Sequence, residues 1–256
     1  MTETSETNAV LDPPEVVLIT GGGRGIGRAI ALRMARTGAR IAVTYATRED
    51  AARETAEAAR RAGAADAACF ACDMGDAQAV MALPGQVHDL WGRLDVLVNN
   101  AGLTRDGPFA LLPAAQWREV LTVNLVNTIR LTQAALPHLE KAAGRVITIS
   151  SLAGRAGKEG QVPYSATKAG LVGMTRLIAR TCRDRRVRAA AVLPGFVNTD
   201  MISGLGVRAM EPTLRGSVRA RAGEPGEIAD VCAFLAGREA DYLDGAIVPV
   251  DGGFRI

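Results

Sequence analysis

Residues 16–37 read VVLITGGGRGIGRAIALRMART. An apolar run, Val16–Thr20, passes directly into a turn that holds five glycines, and an amphipathic segment follows the turn. Glycines allow the chain to turn tightly and let backbone N–H groups approach an anion at the positive end of the next helix. Such a turn between the first strand and the first helix of an α/β chain is typical of pyrophosphate binding in a dinucleotide site. We therefore expect cofactor contacts from Gly21, Arg24, Gly25, Ile26 and Gly27.

The same alternation of a short apolar run and an alanine-rich amphipathic stretch continues along the chain. Strands are predicted at Val16–Thr20, Arg40–Tyr45, Ala67–Cys72, Leu94–Val98, Arg145–Ser150, Val187–Leu193 and Ala246–Val250. Helices are predicted near residues 26–37, 49–62, 76–91, 114–141, 163–185 and 225–236. Because the apolar runs are continuous, the strands are expected to be buried on both faces, and the intervening helices imply right-handed crossovers. The sequence predicts a single doubly wound α/β domain over residues 15–256, with a mostly parallel seven-stranded sheet, after a flexible arm at 1–14.

The composition excludes several classes of protein. The 256 residues carry a formal net charge of +3, which is too small to imply a nucleic-acid partner. The longest apolar stretches stop short of the roughly 18 residues that a membrane span requires. The polar start, MTETSETN, does not resemble a signal peptide. We expect a cytoplasmic protein that binds neither nucleic acid nor a membrane.

Cys69 and Cys72 form a C-x-x-C pair, a spacing found in some redox and metal sites. They fall in a predicted strand, however, where residues three apart point to opposite faces. No second pair completes a set of zinc ligands, and His88 and His138 stand alone. We therefore expect two small buried side chains and no metal site.

The end of the second predicted strand bears on which dinucleotide binds. An NAD site places a carboxylate about 20 residues after the glycine turn, where it holds the ribose hydroxyls. Here the strand ends in Tyr45-Ala46-Thr47-Arg48, and the first carboxylate is Glu49. Arg24 and Arg48 are instead placed to hold a 2′-phosphate, so NADP(H) is favoured over NAD(H). The alternative is that Arg48 only begins a solvated helix.

Three side chains have the chemistry of a proton-transfer site. Tyr164 and Lys168 are four residues apart on a predicted helix and share one face. A tyrosine hydroxyl titrates at about pH 10, and a neighbouring ammonium favours the phenolate, so the pair makes the tyrosine more reactive. Ser151 follows the fifth predicted strand, at the carboxyl edge where open α/β sheets bind ligands.

Together these motifs resemble those of the short-chain dehydrogenases/reductases over residues 15–256. The resemblance rests on the order and spacing of Thr20–Gly27, Asn99-Asn100-Ala101-Gly102, Ser151, Tyr164, Lys168 and Pro194-Gly195. Within that family the chain looks most like bacterial 3-oxoacyl-[acyl-carrier-protein] reductases, through Asn99–Asp106 and Pro194–Met201. The resemblance implies a Rossmann-type fold and NADPH-dependent reduction of a 3-oxoacyl thioester to the 3-hydroxyacyl product.

The resemblance also assigns roles to four catalytic positions, Asn124, Ser151, Tyr164 and Lys168. Tyr164 would donate its proton to the substrate carbonyl oxygen, which Ser151 would polarise by a hydrogen bond. Lys168 would lower the pKa of the tyrosine and hold the nicotinamide ribose, and Asn124 would hold a water of the proton relay. Asparagine has a poor helix propensity, so a purely structural role explains Asn124 less well.

By the same resemblance, the cofactor site extends along the carboxyl edge of the sheet. Its further contacts would be Arg48, Asp73, Met74, Asn99, Ala101, Gly102, Tyr164, Lys168, Val197 and Thr199. Asp73 and Met74 would lie at the adenine, and Val197 and Thr199 at the carboxamide and the phosphates. One of Asn99 and Asn100 is expected to be a turn residue that follows the strand.

The resemblance further implies where substrate and partners bind. Residues 201–222 occupy the place of a substrate lid. An acidic acyl carrier protein would suit the cluster formed by Arg176, Arg180, Arg183, Arg185, Arg186 and Arg188. Arg185 aligns with one of two docking arginines of the family reductase, but Ala142 replaces the other, and cations at a helix end are also favourable without a partner. A homotetramer with helices 114–141 and 163–185 between subunits is implied as well.

Other functions stay open at this point. The same chemistry on another substrate would make the protein a ketoreductase or alcohol dehydrogenase of a polyketide or a cyclic ketone. A dinucleotide-binding protein without turnover is the second alternative, against which the presence of Ser151, Tyr164 and Lys168 argues. An enoyl reductase is disfavoured, because those relatives separate the tyrosine and the lysine by more than four residues.

Overall fold

The computed structural model describes residues 15–199 and 216–254. The predicted arm, 1–14, and residues 201–215 of the predicted lid lie outside the described residues. The strands are β1 Val16–Ile19, β2 Arg40–Tyr45, β3 Asp66–Ala71, β4 Val96–Asn99, β5 Arg145–Ile149, β6 Arg188–Pro194 and β7 Ala246–Val250. They form one sheet in the order β3-β2-β1-β4-β5-β6-β7, and every neighbouring pair is parallel. The predicted doubly wound α/β fold with a seven-stranded sheet is confirmed.

Helices cover both faces of this sheet. They are α1 Gly25–Ala35, α2 Glu49–Arg61, α3 Ala77–Trp91, α4 Ala114–Leu121, α5 Asn127–Ala142, α6 Ala153–Ala156, α7 Val162–Thr181 and α8 Pro225–Ala236. Val17 and Ile19 of β1 pack in one core with α1, α2 and α8, whereas Val16 and Leu18 pack in the other with α3, α5 and α7. Successive residues of a buried strand therefore supply both cores, which is why its apolar run is continuous.

The C-x-x-C pair is divided between these two cores. Cys69 packs against the core of α1, α2 and α8, and Cys72 lies in the core of α3, α5 and α7. Burial raises the pKa of the Cys72 thiol to about 11, so it stays protonated near neutral pH. Both cysteines therefore act as small apolar side chains in the described structure.

The predicted helix 114–141 is interrupted. Between α4 and α5 a π-helical turn spans Thr122–Val126, and the N–H of Asn127 donates to the Thr122 carbonyl, five residues back. Asn124 lies in this turn and is fully buried. The prediction of one continuous helix is wrong here, because apolar periodicity does not reveal a single widened turn.

Other boundaries differ by a few residues. β4 spans Val96–Asn99 where Leu94–Val98 was predicted, and α7 ends at Thr181 before a 3₁₀ turn at Arg183–Arg185. Arg186 follows with φ of +60°, a conformation that stops a right-handed helix.

Residues 15–199 and 216–254 contain neither a membrane-spanning helix nor a metal-binding cluster of side chains. No helix there is long and apolar enough to cross a membrane. No group of three or more His, Cys, Asp or Glu side chains in the same ranges is arranged to hold a metal ion.

Candidate active site

The glycine turn between β1 and α1 is packed too tightly for side chains. Gly21 has φ of +65°, and a Cβ on Gly27 would overlap the Gly21 carbonyl oxygen and lie 2.6 Å from Asn100 Nδ2. The turn is also tied to β2, because the N–H of Gly21 donates to Thr44 Oγ1 at 3.1 Å. The close packing makes a backbone cradle at the carboxyl edge of the sheet.

The N-terminus of α1 faces this cradle and suits an anion. Its N-cap, Arg24, has an extended backbone and makes no side-chain capping bond, and the first turn of α1 has no acidic residue. The unpaired N–H groups and the positive end of the helix dipole are therefore not neutralised by a carboxylate of the helix. Thr199 borders the same place, since a Cβ on Gly25 would lie 3.4 Å from Thr199 Cγ2. These residues fit the pyrophosphate of a dinucleotide.

Asn100 is a residue of this site that the sequence analysis did not assign to it. Its Nδ2 donates to the carbonyl oxygens of Thr20 at 2.8 Å and Gly21 at 3.1 Å. Thr20 Oγ1 in return accepts the N–H groups of Asn100 and Ala101, each at 3.0 Å. Asn100 thus locks the start of the glycine turn to the end of β4. Asn100 is the turn residue of the asparagine pair. Its place within the Asn99-Asn100-Ala101-Gly102 motif was the sequence signal that could have assigned it to the site.

Arg24 and Arg48 stand at the starts of neighbouring helices. Arg48 is the N-cap of α2, as Arg24 is of α1, and both are exposed. The two starts are close together, because a Cβ on Gly23 would lie 3.3 Å from Ala52 N. Arg48 Nη2 lies 3.5 Å from the Asp50 carboxylate in an exposed ion pair. The structure therefore brings the two predicted arginines to the same side of the glycine turn.

Ser151 and Tyr164 meet at the carboxyl end of β5. Ser151 follows that strand, and Tyr164 lies in the first turn of α7. Burial raises the pKa of Tyr164 above its usual value, the side-chain hydrogen bond with Ser151 lowers it, and the Asp106 carboxylate raises it further. Because the net shift is upward, the hydroxyl stays protonated at neutral pH and can act as an acid. Ser151 Oγ also accepts the N–H of Ala153 at 3.1 Å, which fixes the serine.

Lys168 is buried beside the tyrosine, with 4% of its surface exposed. Its Nζ donates to the Ile149 carbonyl at 2.8 Å and lies 5.5 Å from the centroid of the Tyr164 ring. Burial lowers the pKa of Lys168 to about 8, so most of the ammonium form persists at pH 7. The Lys168 carbonyl accepts the Ser150 hydroxyl at 2.7 Å, and α7 is thereby fastened to the end of β5.

Asn124 joins the π-helical turn to the loop after β4. Its Oδ1 accepts the N–H of Leu103 at 2.9 Å, and its Nδ2 donates to the Leu103 carbonyl at 2.8 Å. Nδ2 also reaches Thr167 Oγ1 at 3.3 Å, and that hydroxyl donates to the Tyr164 carbonyl at 2.7 Å. The amide group of Asn124 is therefore already hydrogen-bonded to the protein near the tyrosine. The water contact predicted for Asn124 would not come from an amide group without other partners.

Asp73 and Met74 follow β3, where the adenine edge is expected. Asp73 is exposed and its Oδ1 accepts the N–H of Gly75 at 2.7 Å. Met74 is buried in the core, and its carbonyl accepts from Asn127 Nδ2 at 2.7 Å. Of the two side chains, Asp73 is the one that reaches the solvent at this edge.

The side chain of Asn99 turns away from this edge. It is buried, and its Nδ2 donates to Thr132 Oγ1 of α5 at 3.0 Å. Its Oδ1 has no hydrogen-bond partner among the described residues. Any contact of Asn99 with a cofactor is therefore left to its backbone.

The remaining predicted residues converge between β1, β4 and β6. A Cβ on Gly21 would lie 3.2 Å from Ala101 Cα, and one on Gly102 would lie 3.2 Å from Asn124 Oδ1 and 3.6 Å from Lys168 Nζ. Val197 follows β6 and pairs with Gly223 in a parallel bridge. The glycine turn, Lys168 and Tyr164 thus lie along one edge of the sheet. A dinucleotide bound at the turn needs this arrangement if it is to reach a reacting carbonyl group.

Comparison with known proteins agrees with this geometry. A family model described as Enoyl-(Acyl carrier protein) reductase matches residues 21–255. The 3-oxoacyl-[acyl-carrier-protein] reductase FabG of Staphylococcus aureus is 38% identical over 237 residues, which cover 92% of this chain and 96% of that protein. FabG of Pseudomonas aeruginosa is 39% identical over 240 residues, covering 93% of this chain and 96% of the relative.

A solved structure with the same architecture comes from Burkholderia cenocepacia J2315. It is a short-chain dehydrogenase in complex with NADP, with a TM-score of 0.89 and 32% sequence identity. The match covers 93% of this chain and 97% of that one.

Proposed function

Because the chain belongs to the short-chain dehydrogenase/reductase family of oxidoreductases, we propose that it reduces a 3-oxoacyl thioester to the 3-hydroxyacyl product with NADPH. The observation that carries the proposal is that Ser151, Tyr164 and the buried Lys168 come together at the carboxyl end of β5, with Lys168 Nζ 5.5 Å from the centroid of the Tyr164 ring. The substrate class is drawn from relatives named as 3-oxoacyl-[acyl-carrier-protein] reductases that match over more than nine-tenths of the chain.

Tyr164 and Ser151 divide the work at the substrate carbonyl. A bound nicotinamide dinucleotide supplies the hydride for carbonyl reduction. Tyr164 gives its hydroxyl proton to the carbonyl oxygen, and its raised pKa keeps that proton in place at neutral pH. Ser151 donates a hydrogen bond to the same oxygen and stabilises the negative charge that develops there.

Lys168 and Asn124 support the tyrosine after the proton has left. The ammonium, 5.5 Å from the ring centroid, favours the phenolate by charge attraction and holds the ribose of the cofactor. Asn124 keeps Leu103 and Thr167 in position through the hydrogen bonds of its amide. The widened turn around Asn124 is where a water of the proton relay would be held by the backbone.

NADPH is the preferred cofactor in this proposal. Arg24 and Arg48 at the starts of α1 and α2 offer two guanidinium groups to a 2′-phosphate, which NADH lacks. Arginine suits this task because its planar fork matches phosphate oxygens.

Arg48→Glu is expected to weaken NADPH binding about tenfold more than NADH binding, because it replaces an attractive charge at the phosphate with a repulsive one. The measurement is the Kd of each dinucleotide by fluorescence titration. Arg61→Glu makes the same charge change at the exposed far end of α2 and should alter neither value. Equal weakening of both dinucleotides by Arg48→Glu would remove Arg48 from the phosphate site.

The function itself is tested by oxidation of NADPH and NADH with acetoacetyl-CoA, a set of cyclic and polyketide-like ketones, and crotonyl-CoA. Fast NADPH oxidation with acetoacetyl-CoA supports the proposal. Turnover of another ketone alone would support the same carbonyl reduction but would indicate a substrate of specialised metabolism. Reduction of crotonyl-CoA would instead point to the enoyl reductase activity in the family model's description.

The proposed carrier-protein surface consists of Arg176, Arg180, Arg183, Arg185 and Arg186, all exposed. Arg188, which sequence alone places in this cluster, is partly buried and forms an ion pair with Asp241 at 2.5 Å. Arg185 pairs with Glu140 of α5 at 2.9 Å. The cluster lies at the end of α7 opposite to Tyr164, about 30 Å along a 20-residue helix. A carrier docked there therefore needs a long acyl arm to reach Tyr164, or it delivers its substrate to the active site of another subunit.

Reversal of both Arg183 and Arg185 to Glu is expected to raise KM for an acyl-carrier-protein substrate about tenfold and to leave KM for acetoacetyl-CoA unchanged. The reason is that the charges attract an acidic carrier but do not touch the reacting thioester. Steady-state kinetics at low salt with both substrates measures the difference. An equal change for both substrates would contradict docking at this surface.

A homotetramer is proposed as the working assembly. Large apolar side chains are exposed on the helices expected between subunits, with Leu177 of α7 60% exposed and Val126 before α5 40% exposed. Burying them against a second copy would be favourable. Light scattering or analytical ultracentrifugation measures the assembly, and the expected cytoplasmic location stays a prediction.

A further inference from the structure

The loop after β4 is bonded to other elements at four of the five residues from 103 to 107, namely Leu103, Arg105, Asp106 and Gly107, and we call this segment the strap. Leu103 is held by Asn124 through two backbone hydrogen bonds of 2.9 and 2.8 Å. Arg105 forms a two-pronged ion pair with Glu119 of α4, at 2.8 and 2.6 Å. These bonds fasten the strap to the π-helical turn and to α4.

The other end of the strap is bound to the start of α7. Gln161 Nε2 donates to the Asp106 carboxylate at 2.7 Å, and the N–H of Gly107 donates to the Gly160 carbonyl at 2.9 Å. The Thr104 hydroxyl is a second donor to Asp106. Gln161 is the N-cap of α7, three residues before Tyr164. The Asp106 carboxylate is therefore held beside the start of α7, on the solvent-exposed side of the site that we call its mouth.

The charges around this mouth are few among the described residues. The Asp106 charge in the strap raises the pKa of Tyr164, Ser151, which follows β5, lowers it through a hydrogen bond, and the Lys168 Nζ lies 5.5 Å from the centroid of the tyrosine ring. Arg105 is engaged by Glu119 in an ion pair. Lys158, three residues before Gln161, lies over the Phe196 ring at 5.1 Å from its centroid, with Glu159 next to it in the chain.

We propose that Asp106 is a specificity-determining residue that admits neutral acyl derivatives and rejects free 3-oxo acids. A free acid carries a carboxylate close to the reacting carbonyl, whereas an ester or thioester carries none. A fixed carboxylate at the mouth repels the first and leaves the second untouched, which is discrimination by a repulsive element. The inference deepens the proposed function, on which it rests, by explaining how a 3-oxoacyl thioester is chosen over its hydrolysis product.

The test compares methyl acetoacetate with acetoacetate, which differ in charge at the same position. Both are measured as substrates and as competitive inhibitors of the NADPH-loaded enzyme, in the natural chain and in Asp106→Asn. Asparagine keeps one acceptor oxygen, for either Gln161 or Thr104, and removes the charge. The preference for the ester is expected to fall about fivefold, the effect of one unit charge at a hydrated site. It should also fall in the natural chain as salt is raised, because salt screens an exposed charge.

Two further variants separate charge from structure. The double variant Arg105→Gln with Glu119→Gln removes another ion pair that holds the strap without changing the net charge or releasing a cation beside Asp106, and it should leave the ester preference unchanged. Asp106→Glu should retain the preference. An ester preference that is the same in Asp106→Asn as in the natural chain would overturn the proposal, and so would an equal loss of preference in the double variant.

A second readout does not require turnover. The chain has three tyrosines, so the tyrosinate absorbance of Tyr164 is isolated by subtracting the titration of Tyr164→Phe. Because the Asp106 charge raises the pKa of Tyr164, Asp106→Asn should move this titration to lower pH. An unmoved titration would show that Asp106 does not act on the site electrostatically. If the natural chain reduces methyl acetoacetate but not acetoacetyl-CoA, the proposed function fails while this inference is still decided by the ester and acid pair.

Discussion

Tyr164→Phe is expected to lower kcat for ketone reduction about 1000-fold, within the range that a positioned general acid contributes. The phenyl ring keeps the packing at the start of α7, and only the hydroxyl that hydrogen bonds with Ser151 is lost. The carbonyl oxygen then has no side-chain acid to protonate it. NADPH affinity, measured by fluorescence titration, should stay within about threefold, because most of the proposed cofactor contacts lie at the glycine turn and at the end of β4.

The matched control for this variant is Tyr242→Phe, which removes a hydroxyl from a fully exposed tyrosine before β7. It should leave both kcat and the Kd of NADPH unchanged. Residual kcat within about tenfold of the natural chain in Tyr164→Phe would contradict the acid assignment. A large loss of NADPH affinity would instead assign the hydroxyl to cofactor binding.

The fold was predictable because the strands in the middle of the sheet are buried on both faces. Val16–Ile19 supply two cores at once, so the run contains no polar residue and stands out from the helices around it. The sheet order was not read from this pattern. It follows from which helix covers which face, and that depends on packing between distant segments.

The asparagines of the site illustrate what the motifs left unresolved. Asn99 and Asn100 are neighbours in one motif, yet Asn99 points into α5 and Asn100 ties the end of β4 to the glycine turn. A one-residue step along a strand reverses the direction of the side chain, and the exact end of β4 decides which asparagine points where. The sequence alone did not locate that end.

The π-helical turn and the strap were hidden for a related reason. Asn124 reaches 21 residues back to Leu103, and Gln161 reaches 55 residues back to Asp106. Such contacts leave no local periodicity, so the sequence indicated that Asn124 was unusual without indicating its partner. The proposed catalytic residues Tyr164 and Lys168 were easier to identify, because their spacing of four residues is set by the helix that carries both.

Gly27→Ala is expected to weaken NADPH binding about 30-fold or more, since it displaces amides whose bonds to a charged group each contribute about 1.5–3 kcal/mol. The new Cβ would overlap the Gly21 carbonyl oxygen and lie 2.6 Å from Asn100 Nδ2. Backbone atoms cannot move aside as the end of a flexible side chain can. The turn must therefore shift away from α1 and loosen the hydrogen bond that Asn100 Nδ2 donates to the Gly21 carbonyl.

Thermal unfolding and dinucleotide titration test this effect together. The overpacking is expected to lower Tm by about 5 °C, because it costs 1–3 kcal/mol in a chain in which about 1 kcal/mol corresponds to 2–4 °C. Gly173→Ala is the control, since a Cβ there meets no atom of the described residues within 4 Å and alanine is the better helix former. That variant should keep NADPH affinity and leave Tm equal or higher. If Gly27→Ala also kept the NADPH affinity and the Tm of the natural chain, the turn would have room for a side chain. The backbone cradle would then not be what holds the pyrophosphate.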